Sequence, residues 1–190
     1  MKKSKQIHLP ELNEVYQRTL IWFFSFPQRE IGLSDLATAI GSSKTTTKII
    51  VEDLVNKEFL KREIIGKLWR LSANNVHDYI YSKKIPYNLG AIYESGILQE
   101  VRKHVPSSRV VVLFGSYRKG DDVETSDVDL AAEVLDEDQV EIREVGKINM
   151  GYRTNVPVNL HIFSRNKVDL NLFANIANGI VLSGFLEVRP

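Results

Sequence analysis

Val110-Val111-Val112-Leu113-Phe114-Gly115-Ser116 is followed, ten residues later, by Asp127-Val128-Asp129-Leu130. The first stretch reads as an apolar strand that runs into a tight Gly-Ser turn. The second reads as a strand carrying two aspartates one residue apart. Residues i and i+2 of a strand project from the same face. Asp127 and Asp129 therefore aim their carboxylates at one region, ~6–7 Å apart along the strand. Carboxylates so placed repel each other unless positive charge lies beside them. The pair can share one divalent cation or hold two. The Gly115-Ser116 turn adds backbone N–H groups and a hydroxyl, which suit a phosphate. Together these features point to metal-assisted chemistry on a nucleotide phosphate.

The rest of the chain limits what surrounds this stretch. Its 190 residues suffice for one ordinary domain or two small ones, and 43% hydrophobic with 26% charged residues is a globular composition. No apolar run approaches the ~18 residues of a membrane span. The segment after the basic Met1-Lys2-Lys3-Ser4-Lys5 is too polar for a signal-peptide core. There is no Cys, which excludes disulfides and thiolate metal sites. These features lead us to expect a cytoplasmic protein without a membrane partner. The formal net charge of +1 conceals an asymmetry. Residues 1–84 hold 14 Lys and Arg against 9 Asp and Glu, a balance of +5, and the remainder carries −4. That split argues for two modules, 1–84 and 85–190, with different electrostatic partners.

Residues 1–10 read as a basic tail. From Glu11, the 3–4 spacing of Leu12, Val15, Tyr16, Thr19, Leu20 and Phe23 predicts a helix, which Pro27 stops. Ser34 is positioned to cap a short helix, Asp35 to Ile40, ended by Gly41. Ser42 or Ser43 caps a longer one, Lys44 to about Lys57. Phe59–Ile65 and Lys67–Leu71 read as a hairpin around Gly66. The phrase from Leu33 to Leu71 resembles the winged helix-turn-helix repressors in layout. That resemblance implies DNA contacts from Lys44, Thr45 and Lys48 on the second helix and from Lys61, Arg62, Lys67 and Arg70 on the wing. It also implies a homodimer. The same layout serves as a protein–protein module, and the cations are then a solvated face.

Val76, Tyr79 and Ile80 suggest a short helix, and Pro86 an interruption. Leu89–His104 reads as a longer helix, Glu137 to about Gly151 as a charge-rich helix and Val156–Phe163 as a strand. A helix at Val168–Ala177 and a strand at Ile180–Val188 close the chain. The fold class expected is α+β, with a mixed β-sheet flanked by helices in the second module.

Gly115-Ser116, ten residues, then Asp127-Val128-Asp129 resembles the signature of the minimal nucleotidyltransferases, within the DNA polymerase β-like superfamily. The resemblance covers about residues 88–190. It implies transfer of a nucleoside monophosphate from an NTP, ATP by default, to an acceptor hydroxyl. It also implies Mg²⁺ on Asp127 and Asp129, with the NTP phosphates on Gly115 and Ser116. Lys119 stands where an Arg is usual and supplies a positive charge without a bidentate fork. By analogy with antitoxin members of toxin–antitoxin pairs, it implies a protein acceptor and a HEPN-type partner. The family's third carboxylate falls at Asn159, whose amide brings no charge and no useful basicity. His161 shares the face of Asn159, as a base or as an ordinary strand histidine. Glu133 lies too far along its strand to join. Asp121, Asp122 and Glu124 read as a solvated loop. Against transfer stands an alternative: a catalytically degenerate DNA-binding regulator that senses a nucleotide or docks a protein partner. A third reading has both modules only binding proteins.

Overall fold

A computed structural model describes residues 13–135 and 140–188. The basic tail, and the expected helix start at Glu11 and Leu12, lie outside the described residues. Contacts divide the chain into two compact units, Met1–His77 and Asp78–Pro190. Both are built from helices and strands, so the fold is α+β.

The first unit opens with α1, Glu14–Ser25. Asn13 caps it, its Oδ1 accepting from the N–H groups of Val15 at 2.9 Å and Tyr16 at 3.3 Å. A short strand β1, Ile31–Gly32, leads into α2, Leu33–Ala39. Ser34 does not cap α2. The helix begins two residues earlier than expected, at Leu33, with Gly32 at the N-cap position and no side-chain cap bond. Ser43 caps α3, Lys44–Asn56, its Oγ accepting from Thr46 N–H at 3.1 Å. Strands β2, Leu60–Ile65, and β3, Leu68–Ala73, pair antiparallel with Ile65 opposite Leu68. That register leaves Gly66-Lys67 as a two-residue loop, and Gly66 takes the positive φ such loops demand at their first position. The sheet order is β1-β3-β2. Tyr16, Phe23, Leu36, Val51, Phe59 and Leu71 are almost wholly buried. Each contributes ~1.5–3 kcal/mol by leaving water.

The second unit starts with a π-helical turn, Ile80–Lys84, that continues into α4, Ile85–Glu94. Pro86 therefore starts a helix instead of interrupting one, at a position where its missing N–H is not needed. The expected Leu89–His104 helix is two helices. Gly96, at φ 77°, breaks it before α5, Ile97–His104. Then come β4, Val110–Phe114, and α6, Gly115–Lys119. They are followed by β5, Val128–Glu133; β6, Glu141–Met150; and β7, Arg153–Phe163. The unit ends with α7, Leu170–Ala177, and β8, Ile180–Gly184.

The expected helix at 137–151 is a correction. Residues 137–139 lie outside the described residues, and the remainder is the edge strand β6. Its buried positions Val145 and Ile148 are three residues apart because a bulge shifts the register between Glu144 and Gly146, and Met150 follows at the ordinary two-residue spacing. A spacing of three imitates a helical stripe, although the strand pairs with β7 along its length.

The sheet order is β6-β7-β5-β4-β8, mixed, with only the β5/β7 pair parallel. Every residue of β4 is buried, as its run of Val and Leu demands for a strand covered on both faces. One face, with Leu113, Val128, Leu130, Val158 and Leu160, packs with Ile92, Ile97 and Val101 of α4 and α5. The other, with Val112, Phe114, Ala131 and Phe163, packs with Ile176 of α7.

Candidate active site

β4 delivers Phe114 in an extended conformation, and Gly115 then turns the chain at φ 71°. No side chain caps the first turn of α6, which Gly115 opens. β5 lies antiparallel beside β4 with Asp129 opposite Phe114, so the turn meets the aspartate. A Cβ on Gly115 would lie 2.7 Å from Asp129 Oδ2. Both the dihedral and this approach require glycine here.

The expected alternation along β5 holds. Val128, Leu130, Ala132 and Val134 enter the core against α4 and α5. Asp127 and Asp129 project from the opposite face. β7 runs parallel to β5, with Asn159 opposite Asp129 and His161 opposite Ala131. Asn159 Nδ2 donates to Asp127 Oδ2 at 3.3 Å. His161 Nε2 lies 3.5 Å from Asp129 Oδ1. The His161 ring stands edge-on to Phe114, centroids 5.0 Å apart. Its Nδ1 is buried without a hydrogen-bond partner among the described residues. Gly115, Asp127, Asp129, Asn159 and His161 thus come together. Ser116 follows directly on the turn, and Lys119 stands exposed at the far end of α6.

Two further groups, not evident from sequence, hold the loop that leads to Asp127. Arg153, at the start of β7, donates to the Val123 carbonyl at 3.0 Å, to the Ser126 carbonyl at 2.7 Å and to the Tyr117 hydroxyl. One guanidinium therefore ties α6 to the residue before Asp127. Burial pushes the Tyr117 phenol far above its ordinary value, so it meets Arg153 as a neutral hydroxyl. The second group corrects the reading of Asp122 as a solvated residue. Asp122 is 4% exposed and Lys84 is 1% exposed. Lys84 Nζ donates to the Asp122 carbonyl at 2.8 Å and lies 3.1 Å from its Oδ1. Asn88 Nδ2 donates to the same oxygen at 2.9 Å. Lys84 follows Lys83 and precedes Ile85, and nothing in that pattern marks one of the two lysines as buried. Glu133 is occupied elsewhere, bound by the Arg165 guanidinium at 2.8 Å.

The donor set can be tested against the Mg²⁺ implied above. Among the described residues, no three Asp, Glu, His or Cys side chains converge to hold an ion. Two carboxylates still fit a Mg²⁺ that retains waters and shares phosphate oxygens, which is its usual habit. Asn159 contributes a hydrogen bond to Asp127 in place of a third charge.

Residues 94–179 match the family model of the nucleotidyltransferase domain. The matched span contains the Gly-Ser turn, both aspartates and Asn159, and it supports placing this part of the chain in that superfamily. No curated protein matches the chain. Among the described residues, no helix is long and apolar enough to cross a membrane.

The glycine of this turn yields a direct test of the site. Gly115→Ala puts a methyl at positive φ, at ~1–2 kcal/mol, and pushes Asp129 aside. A displacement of ~1 Å at such a site costs on the order of 10²-fold in rate. Nucleotidyl transfer by Gly115→Ala is expected to fall by about that factor while far-ultraviolet circular dichroism stays unchanged.

In the first unit, all seven residues expected at DNA are exposed: Lys44, Thr45, Lys48, Lys61, Arg62, Lys67 and Arg70. Lys44, Lys48, Lys67 and Arg70 line one cleft of about 780 Å³, together with Glu30 and Asp35. Thr45, Lys61 and Arg62 are not part of that lining. Several of the cations already have partners. Lys48 sits 3.8 Å from Glu52 and over the Trp69 ring. Arg62 also lies over Trp69, and Arg70 meets Glu30 and Glu63.

Proposed function

We propose that the second unit is a Mg²⁺-dependent nucleotidyltransferase that moves NMP from an NTP, ATP by default, to a hydroxyl of a protein or small molecule. The observation that carries this reading is the pair Asp127 and Asp129 on one strand face, with Gly115 in contact, inside the span that matches the family.

Asp127 and Asp129 would hold the cation, which supplies positive charge against the triphosphate. Gly115 and Ser116 offer N–H groups and a hydroxyl to the phosphates, and Lys119 brings a further charge to the end of α6. The acceptor oxygen attacks the α-phosphorus in line, and the bond from that phosphorus to the bridging oxygen breaks. Pyrophosphate leaves with the electron pair. The acceptor proton passes to water, because the Asn159 amide has no basicity to receive it. His161 Nε2 stands 3.5 Å from Asp129 Oδ1.

The test is transfer of label from α-phosphate-labelled ATP with Mg²⁺ to the proteins of a cell lysate. Transfer lost on replacing both aspartates supports the proposal, and transfer that survives their replacement rejects it. A HEPN-type protein is the acceptor that the antitoxin resemblance suggests.

The order of helices and strands in the first unit, with its hairpin after α3, supports reading that unit as a winged helix-turn-helix, and DNA binding as a homodimer is the role we propose for it. The catalytic proposal for the second unit does not depend on it. The specific support is that Lys44 and Lys48 of α3 share a cleft with Lys67 and Arg70 of the wing. Each phosphate contact contributes ~0.9 to the slope of log affinity against log salt. Lys44→Ala with Lys48→Ala should lower that slope by ~1.8, read by fluorescence anisotropy on duplex DNA. A slope unchanged within error, or no DNA affinity of the natural chain at low salt, assigns the unit to protein docking instead.

A further inference from the structure

Asn159 is the register partner of two residues, Asp129 of β5 on one side and Glu144 of β6 on the other. The three form one lateral row across the sheet. Directly paired residues share a face, so Glu144 projects on the side of the two aspartates. Its neighbour Val145 is buried in the core beneath the other face. A bulge falls at this point: Glu144 pairs with Asn159 and Gly146 with Val158, leaving Val145 as the extra residue. Bulges of this kind re-aim a side chain near a site. Neighbouring strands lie ~4.8 Å apart, so the Glu144 Cα stands ~10 Å from that of Asp129, across Asn159. Glu has one methylene more than Asp with which to cover that distance. The Glu144 side chain is 51% exposed, and it meets Lys147, 53% exposed, at 3.9 Å. A surface pair at that distance gives way readily.

We infer that Glu144 supplies the carboxylate that Asn159 lacks, swinging over Asn159 to hold a second divalent cation beside the one on Asp127 and Asp129. This rests on the metal–nucleotide reading of the site. The acidic group stands one strand outward along the row and has the extra methylene that the longer reach requires. In the resting arrangement, Glu144 stays with Lys147. Nucleotide phosphates complete the second ion's oxygen shell and draw the side chain across.

The experiment counts Mn²⁺ bound to the full chain in the presence of α,β-methylene-ATP, from the electron paramagnetic resonance of free Mn²⁺. The natural chain is expected to bind close to two ions. Glu144→Gln should bind one, and Glu144→Asp, too short to reach, should also bind one. Glu144→Gln with Asn159→Asp should return to two, which a merely structural role of Glu144 would not produce. Glu141→Gln, on the same strand beside Arg143, should remain at two. One ion in the natural chain, dependent on Asp127 and Asp129, overturns the role of Glu144 and leaves the metal–nucleotide reading standing. Two ions in Glu144→Gln, or no recovery with Asn159→Asp, likewise overturns only the role of Glu144. No Mn²⁺ uptake in any protein overturns both.

Discussion

Asp127→Asn with Asp129→Asn is expected to reduce label transfer from α-phosphate-labelled ATP by ~10³-fold or more, with little change in melting temperature. The two effects separate because the site is built from charge, not from packing. Each substitution keeps shape and removes one negative charge. Lewis-acid neutralisation of phosphate is worth several kcal/mol, and each 1.36 kcal/mol is a factor of ten in rate. Loss of the cation therefore removes roughly three decades or more. Stability has no comparable stake. Asp129 is 30% exposed, and Asp127 receives a single bond from Asn159 at 3.3 Å. Removing two facing carboxylates also relieves repulsion. Transfer within tenfold of the natural chain would reject the carboxylates as the metal site. A melting temperature lowered by more than a few degrees would mean the loss reflects misfolding, which His161 and the Gly115 turn would then have to explain.

What could be read from the residues divides along one physical line, that between local patterns and distant partners. The Gly-Ser turn, the alternation of Val128 and Leu130 with Asp127 and Asp129, the cap at Ser43 and the hairpin around Gly66 all follow from neighbours in sequence. Each survives in the structure because packing agrees with the local preference. The charge-rich stretch 137–151 reads as a helix by itself, and the bulge at Val145, which sets Val145 and Ile148 three residues apart on one face, hides the strand alternation of β6. Its pairing with β7 overrides that local pattern. Arg153 could not be found by any motif. Its three acceptors lie at residues 117, 123 and 126 and meet it only through the parallel β5/β7 pairing. Lys84 and Asp122 are 38 residues apart, and each taken alone resembles an ordinary surface charge. The residues that meet at the candidate site are thus legible in the sequence, while the framework that aims them is not.

That hidden framework should be the costliest part of the second unit to damage. Lys84→Met removes the cation that faces the Asp122 carboxylate, in a place where both side chains are almost wholly buried. Breaking one partner of a buried pair costs ~3–5 kcal/mol, because the remaining charge is left uncompensated. For a domain of this size that is a fall of roughly 12–20 °C in melting temperature. The deficit should also depend on pH. Burial raises the Asp122 carboxyl above its ordinary value of 3.8, and the Lys84 charge pulls it partly back. Without Lys84 the carboxyl rises further. The folded state then keeps its proton at pH values where the unfolded chain has released it. Stability consequently falls as pH climbs from about 4 towards neutrality, since the folded state binds more protons than the unfolded one. Burial lowers Lys84 itself, and in the natural chain that shift relieves its cost only as pH rises towards the alkaline value of 10.5. The variant's deficit should therefore be smallest near pH 4 and largest near pH 7, in urea titrations followed by circular dichroism. Adding Asp122→Asn to Lys84→Met should recover much of the loss and remove its pH dependence, because no buried charge remains. A deficit below about 1 kcal/mol, or one flat across this range, would mean that water reaches the pair and that the loop before Asp127 is held by Arg153 alone.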